Sequence, residues 1–148
     1  MGGTVCAPAG VGQPWTFGID EFTNHGPASV VMDRAVLLHS RHERLITALA
    51  VPGTVLFGVV HWPPHFAGMQ PAWKHRQPLA DFRLAHGMSF VLVLELTPTA
   101  DGLATERGIA VYYHDPSGTY VASSQFGLQF EVSKSGAATC LSAPGPQP

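Results

Sequence analysis

Three histidines, a methionine and three large aromatic residues are concentrated in residues 61–76, a stretch broken by three prolines. Imidazole nitrogen and thioether sulfur together suit copper, because soft and intermediate ligands select copper over magnesium or calcium. The candidate metal ligands are His61, His65, Met69 and His75. The spacing of His61 and His65 would place both imidazoles on one face of a helix, but Pro63 and Pro64 between them forbid that helix. Only a folded loop would bring these ligands together.

The same stretch could instead present a contact surface to a partner. Large aromatic side chains and Arg are the usual hot spots of protein interfaces. The candidate contact residues are Trp62, Phe66, Trp73, Lys74 and Arg76. The aromatic rings would supply apolar contact area, and the two cations would supply orientation and salt dependence. Plain structural roles stand beside both hypotheses: hydrogen-bonded surface histidines, a methionine that fills a packing gap, and tryptophans that cap one end of the domain.

Motifs for catalysis are weak in this chain. It has no Gly-x-Ser-x-Gly elbow, no Cys-x-x-Cys pair and no glycine-rich phosphate loop. His42 and Glu43 begin like a zinc-protease helix, but the second histidine of that motif is missing. Residues 113–115, Tyr-His-Asp, could support acid/base chemistry, although a turn-forming Asp at a strand end explains them equally well. The sequence therefore predicts a protein that is not an enzyme, with no cofactor apart from copper under the alternative hypothesis.

Composition narrows the possible partners. The chain of 148 residues is about one domain, with 12% charged residues against a usual share of roughly 25%. With a net charge of −2 and only two lysines, the chain lacks the excess of basic residues that is typical of nucleic-acid-binding proteins. No apolar run approaches the length of a spanning helix. We expect a protein or other surface ligand as the partner, with no nucleic acid and no membrane span.

The rest of the chain alternates apolar and polar residues with a period of two, which predicts strands. We expect strands at residues 15–22, 28–39, 45–51, 54–62, 81–85, 89–97, 108–114 and 119–132. Residues 115–118, Asp-Pro-Ser-Gly, favour a hairpin turn between the last two. Residues 90–96 are apolar on both faces, as expected of a central strand in a two-layer sandwich. The last strand should bend or split near Gly127.

Many short strands without an amphipathic helix predict an all-β protein. We expect an antiparallel immunoglobulin-like β-sandwich of about seven or eight strands. It should occupy residues 14–134 and carry one long loop rich in Pro, His and Trp. Residues 1–13 and 135–148 are rich in Gly, Ala and Pro, which cannot repay the entropy of ordering, so both are expected to be flexible tails.

The two cysteines, Cys6 and Cys140, lie in these two tails. They could remain unpaired or, in an oxidising compartment, form a disulfide, and their spacing leaves both possibilities open. The first residues lack the basic region and long apolar region of a secretory signal. If the true start lies upstream, Cys6 would sit where a lipid-modified cysteine often sits, which would tether the domain to a membrane.

Residues 22–36 read Phe-Thr-Asn-His-Gly-Pro-Ala-Ser-Val-Val-Met-Asp-Arg-Ala-Val, a strand, an Asn-x-Gly turn and a long strand. This pattern resembles that of uncharacterised bacterial extracytoplasmic immunoglobulin-like domains. The resemblance extends over residues 14–132 and concerns the architecture only. It implies a secreted or membrane-anchored location. The resulting prediction is a non-catalytic binding or structural module of the cell envelope that presents the 61–76 loop to a ligand. A copper-binding or copper-handling domain is the alternative.

Overall fold

The computed structural model describes residues 3–132, which form twelve strands and one short helix. The strands are β1 Gly3–Ala9, β2 Trp15–Thr23, β3 Val30–Leu38, β4 Glu43–Pro52, β5 Gly58–His61, β6 Gln77–Pro78, β7 Arg83–Leu84, β8 Ser89–Pro98, β9 Gly102–Thr105, β10 Gly108–Asp115, β11 Gly118–Ser124 and β12 Phe126–Val132. A 3₁₀ turn, Ala67–Met69, leads into helix α1, Gln70–Trp73. No helix in this part of the chain is long and apolar enough to cross a membrane.

The strands form three sheets that share one core. A five-stranded sheet has the order β5-β2-β8-β4-β6, a four-stranded sheet the order β11-β10-β3-β7, and a three-stranded sheet the order β1-β12-β9. Buried side chains from all three sheets meet in one main cluster, for example Phe17, Leu94, Ile109 and Phe130. The chain is therefore an all-β sandwich of the immunoglobulin-like class, and the predicted fold class is confirmed.

Strand β8 lies in the middle of the five-stranded sheet and is apolar on both faces for a reason the structure makes plain. Phe90, Leu92 and Leu94 belong to the main core between the sheets. Val91 and Val93 point the other way and belong to a second buried cluster on the outer face. Both faces are covered, so a strand of almost unbroken apolar residues costs no exposed hydrophobic surface.

The expected domain boundary at residue 14 differs from the structure. Strand β1 pairs in parallel with β12, in the register Gly3 with Phe126 through Ala9 with Val132, so this pair is not antiparallel. Ala7 and Ala9 are buried in the main core. The small side chains of β1 gave no strand signal in the sequence. Pairing with β12 satisfies the hydrogen-bonding groups of its backbone. Residues 135–148 lie outside the described residues, and with them Cys140 and the possible Cys6–Cys140 disulfide.

The strands outnumber the expected seven or eight because β1, β6 and β9 were not expected and the last expected strand forms both β11 and β12. Several strands are also shorter than expected. The strand expected at 54–62 is reduced to β5, and β6 and β7 are two residues each. The β10–β11 hairpin is confirmed, with Asp115 paired to Gly118. The predicted split of the last strand also occurs, at Gln125, where the chain leaves the four-stranded sheet for the three-stranded one. The 3₁₀ turn and α1 within the 61–76 loop were not expected.

Candidate functional site

The 61–76 loop folds onto the outer face of the five-stranded sheet. Its attachment begins at Gly18 of β2, where the N–H of Phe57 donates to the Gly18 carbonyl at 2.8 Å and the Phe57 side chain lies directly over the glycine. The Trp73 ring packs edge-on against Phe57, with 5.6 Å between ring centroids, and Trp62 packs edge-on against Trp73 at 5.7 Å. We call the buried residues of this face the outer cluster. They are Val51, Phe57, Trp73, Val91 and Val93.

Trp73 is the anchor of the loop and is 8% exposed. Its environment is completed by Arg76, whose guanidinium carbon lies 4.7 Å from the centre of the Trp73 ring. The same guanidinium donates through Nη1 to the Trp73 carbonyl at 3.1 Å. Two of the candidate contact residues are thus engaged with one another, and Trp73 covers the face of a sheet, not the open end of the sandwich.

Phe66 differs from the two tryptophans because its side chain is 58% exposed. It lies at the rim of a small cavity of about 330 Å³. The cavity is lined by Trp15, Val59, Val60, His61, His65 and Phe66. Lys74 is also exposed, while Trp62 is half-buried. The loop therefore holds an exposed phenylalanine and an exposed cation on a base of packed aromatic rings.

The four candidate copper ligands occupy three different environments. The His61 ring packs at a tilt against Trp15 with 4.4 Å between centroids, and its Nδ1 lies 3.2 Å from the Gln13 amide nitrogen. His65 borders the same cavity as His61. Met69 packs against the outer cluster, and His75 is exposed. Among residues 3–132, no three His, Cys, Asp or Glu side chains are grouped closely enough to hold a metal ion.

A larger cleft of about 420 Å³ opens between the sheets at the end that carries the β2–β3 turn, and sequence reasoning missed it. Its apolar lining includes Phe22, Met32, Val111, Tyr113 and Tyr120. The signal that could have indicated it is the Asn-x-Gly turn that follows β2, because this turn forms part of the cleft wall.

The buried Asn24 holds that turn together. Its amide nitrogen donates to the carbonyls of Ala28 at 2.8 Å and Leu84 at 3.0 Å. Its side-chain oxygen accepts from the Gly26 N–H at 2.9 Å. Both N–H groups and the oxygen of the side chain make hydrogen bonds within the fold, so Asn24 shapes the cleft.

The residues with possible acid/base chemistry are occupied by structural contacts. His114 pairs through Nδ1 with the Asp33 carboxylate at 2.7 Å. Asp115 accepts hydrogen bonds from the backbone N–H and the hydroxyl of Ser117 in the hairpin turn, and these bonds lower its pKa. His114 therefore links two strands and Asp115 stabilises a turn in this structure, and the absence of an enzymatic activity stays a prediction.

The interior also contains carboxyl groups whose burial sequence reasoning did not predict. Burial raises the pKa of Glu43 to about 9, with a further contribution from the nearby Glu106, and neither Glu43 oxygen has a hydrogen-bond partner within residues 3–132. Burial also raises the pKa of Glu106 to about 8, although its oxygens accept from the backbone N–H groups of Gly108 and Leu128. Burial raises the pKa of Asp20 as well. Glu43 and Glu106 are therefore mostly protonated at neutral pH, and that keeps their part of the core free of unpaired charge.

Comparison with known proteins adds little beyond the fold. No protein-family model matches this chain, and no curated protein matches its sequence. Among solved structures, the chain is similar to the ASH / PapD-like domain of human CEP192 (PapD-like domain 7), with a TM-score of 0.44 and 13% sequence identity. The likeness covers 88% of this chain and 81% of that one. At this level it carries no inference about function.

Proposed function

We propose that this protein is a non-catalytic binding module that contacts a partner protein through the exposed side of the 61–76 loop. The observation that carries the proposal is the exposure of Phe66, 58%, on a loop whose neighbouring aromatic rings are packed into the outer cluster. Phe66 supplies apolar contact area, and Lys74 supplies an orienting charge. Trp62, Trp73 and Arg76 hold the loop in place.

The physical argument is preorganisation. Ordering a flexible loop at the moment of association makes the free energy of binding less favourable. A loop that packed rings already hold in place avoids most of that cost. The Trp73 ring between Phe57 and Trp62 ties the loop to the sheet. An exposed aromatic side chain on such a base is typical of an interface hot spot. A location in the cell envelope belongs to the same proposal and is supported by the low share of charged residues, 12%.

The proposal is tested by photo-crosslinking in cells of the source organism. Benzoyl-phenylalanine is placed at position 66 in one variant and at position 88 in another, because Met88 is exposed to the same degree, 56% against 58%, and lies outside the loop. We expect a discrete adduct from position 66 that Lys74→Glu weakens and that position 88 does not give. The same background from both positions would refute the loop as a contact surface.

A comparison of Trp73→Ala with Phe66→Ala distinguishes the residue that anchors the loop from the residue that would contact the partner. Removing a buried tryptophan should lower the free energy of unfolding by about 3–5 kcal/mol, whereas Phe66→Ala should leave it within about 0.5 kcal/mol. Urea unfolding of both variants gives the two values. A stable Trp73→Ala variant would contradict the anchoring role.

A further inference from the structure

Within residues 3–132, strand β2 has one edge without a strand partner over half its length. Strand β5 pairs with this edge from Trp15 to Gly18 and, in this part of the chain, no other strand pairs with it beyond Gly18. On its other edge β2 continues to pair with β8 as far as Thr23. Residues 19–23 therefore form a notch in the five-stranded sheet, next to the end of β5. Alternate residues of an edge strand point their N–H and C=O groups away from the sheet, where an added strand can pair with them.

A groove runs along this notch. Its other wall is β11, the edge strand of the four-stranded sheet, and the chain that follows it to Phe126. The two walls are joined at one point, where the Ser124 hydroxyl donates to the buried Asp20 carboxyl at 2.5 Å. The groove has a volume of about 600 Å³. It is continuous with the apolar cleft described above, because Phe22, Thr23 and Ala122 line both.

The charge of this region favours a cationic occupant. The exposed Glu21 lines the groove, Asp115 lines the cleft, and no Lys or Arg lines either within the described residues. A second copy of this chain is a poor occupant, since pairing two such edges would bring acidic side chains together. A partner segment that carries a basic residue would gain a favourable charge contact in the same position.

We propose that an extended segment of a partner protein adds as a strand to residues 19–23 of β2, inserts an apolar side chain into the cleft beside Phe22, and sets a basic side chain against Glu21. Strand addition takes its affinity from main-chain hydrogen bonds and its specificity from pockets for alternate side chains, and the notch and cleft offer both. The site lies on the flank of the sandwich, apart from the 61–76 loop, so either proposal can fail without the other.

The first test uses a phage-displayed library of random dodecapeptides panned against the purified chain, with affinities of selected peptides measured by calorimetry. We expect peptides with alternating apolar residues and a Lys or Arg. Ala122→Phe, which fills the opening shared by groove and cleft, should weaken binding by at least about tenfold. Val121→Phe, on the adjacent exposed residue outside both linings, should leave it unchanged. Glu21→Gln should weaken binding and reduce its salt dependence.

The second test leaves the protein unaltered, so it does not depend on how a variant folds. The selected peptide is N-methylated at every second residue. Two versions of the same sequence are made, one methylated at the odd-numbered positions and the other at the even-numbered positions. Strand addition predicts that one version loses at least about tenfold in affinity while the other binds as before, because only alternate N–H groups face β2.

The proposal is overturned by any of four results. These are equal losses from both N-methylated versions, equal affinities of Ala122→Phe and Val121→Phe for the peptide, a library that yields no peptide preferring the wild-type chain to Ala122→Phe, and dimerisation through this edge in sedimentation.

Discussion

At the scale of single residues, neighbours in the sequence have different roles. Trp73 is buried and holds the loop, whereas the adjacent Lys74 is exposed. His61 and His75 are both exposed, and the His61 ring packs against Trp15. Residue type alone marked all of them as equal candidates, because a tryptophan can anchor a core or a partner, and a histidine can bind a metal or a neighbouring side chain.

The copper hypothesis is tested at this scale. Since Met69 is engaged with the outer cluster and His61 with Trp15 and Gln13, we expect no stoichiometric quenching of tryptophan fluorescence when the metal-stripped protein is titrated with micromolar Cu(I), Cu(II) or Zn(II). Stoichiometric quenching by copper that His61→Ala removes, and that His25→Ala outside the loop leaves intact, would instead establish a copper site.

At the scale of elements, the loop and the sheet depend on each other. The outer face of β8 presents Val91 and Val93, and residues 61–76 cover it. For the outer face of the sheet to be covered in this way, Phe57 must approach the backbone of β2 closely. Gly18 permits this approach because it has no side chain. A Cβ at Gly18 would lie 2.8 Å from the Phe57 Cβ and 3.4 Å from a Val93 methyl carbon.

Gly18→Ala should therefore destabilise the protein by about 1–3 kcal/mol, as overpacking of a filled site does. Because the Phe57 ring packs against Trp73, displacing Phe57 should loosen the loop and expose Trp73 to water, so tryptophan fluorescence should shift to the red. Urea unfolding and an emission spectrum measure both effects. Gly68→Ala is the matched control, since a Cβ there meets nothing within 4 Å. An equal effect of the two variants would show that close approach at Gly18 is not what holds the loop.

At the scale of the whole molecule, buried carboxyl groups link stability to pH. The pKa of Glu43 is raised from 4.5 to about 9 and that of Glu106 from 4.5 to about 8, chiefly by burial. The folded state therefore holds protons that the unfolded chain releases above about pH 4.5. The stability these groups contribute is fully present below that pH and is lost as pH rises toward 8 and 9.

We expect the free energy of unfolding to fall between about pH 5 and pH 9, by at most about 1.4 kcal/mol per pH unit for each group. Glu43→Gln removes one titrating group without adding charge, so its stability should depend less steeply on pH. Glu21→Gln, at an exposed position, should leave the slope unchanged. Chemical denaturation across the pH range tests this, and stability that rises toward pH 9 in the wild type would contradict the assignment.

The sequence by itself determined the fold class, most of the strands, the β10–β11 hairpin and the split of the last strand. Local signals suffice for these features, since a period of two and a Pro-Ser-Gly turn act on neighbouring residues. Tertiary structure alone decided that residues 3–9 join a sheet, and that Trp73 is an anchor while Phe66 is exposed. It also decided that residues 19–23 of β2 have a strand partner on one edge only within residues 3–132, beside a groove. Each of these depends on contacts between residues far apart in the chain. Burial and strand pairing are properties of such contacts, so no local pattern contains them.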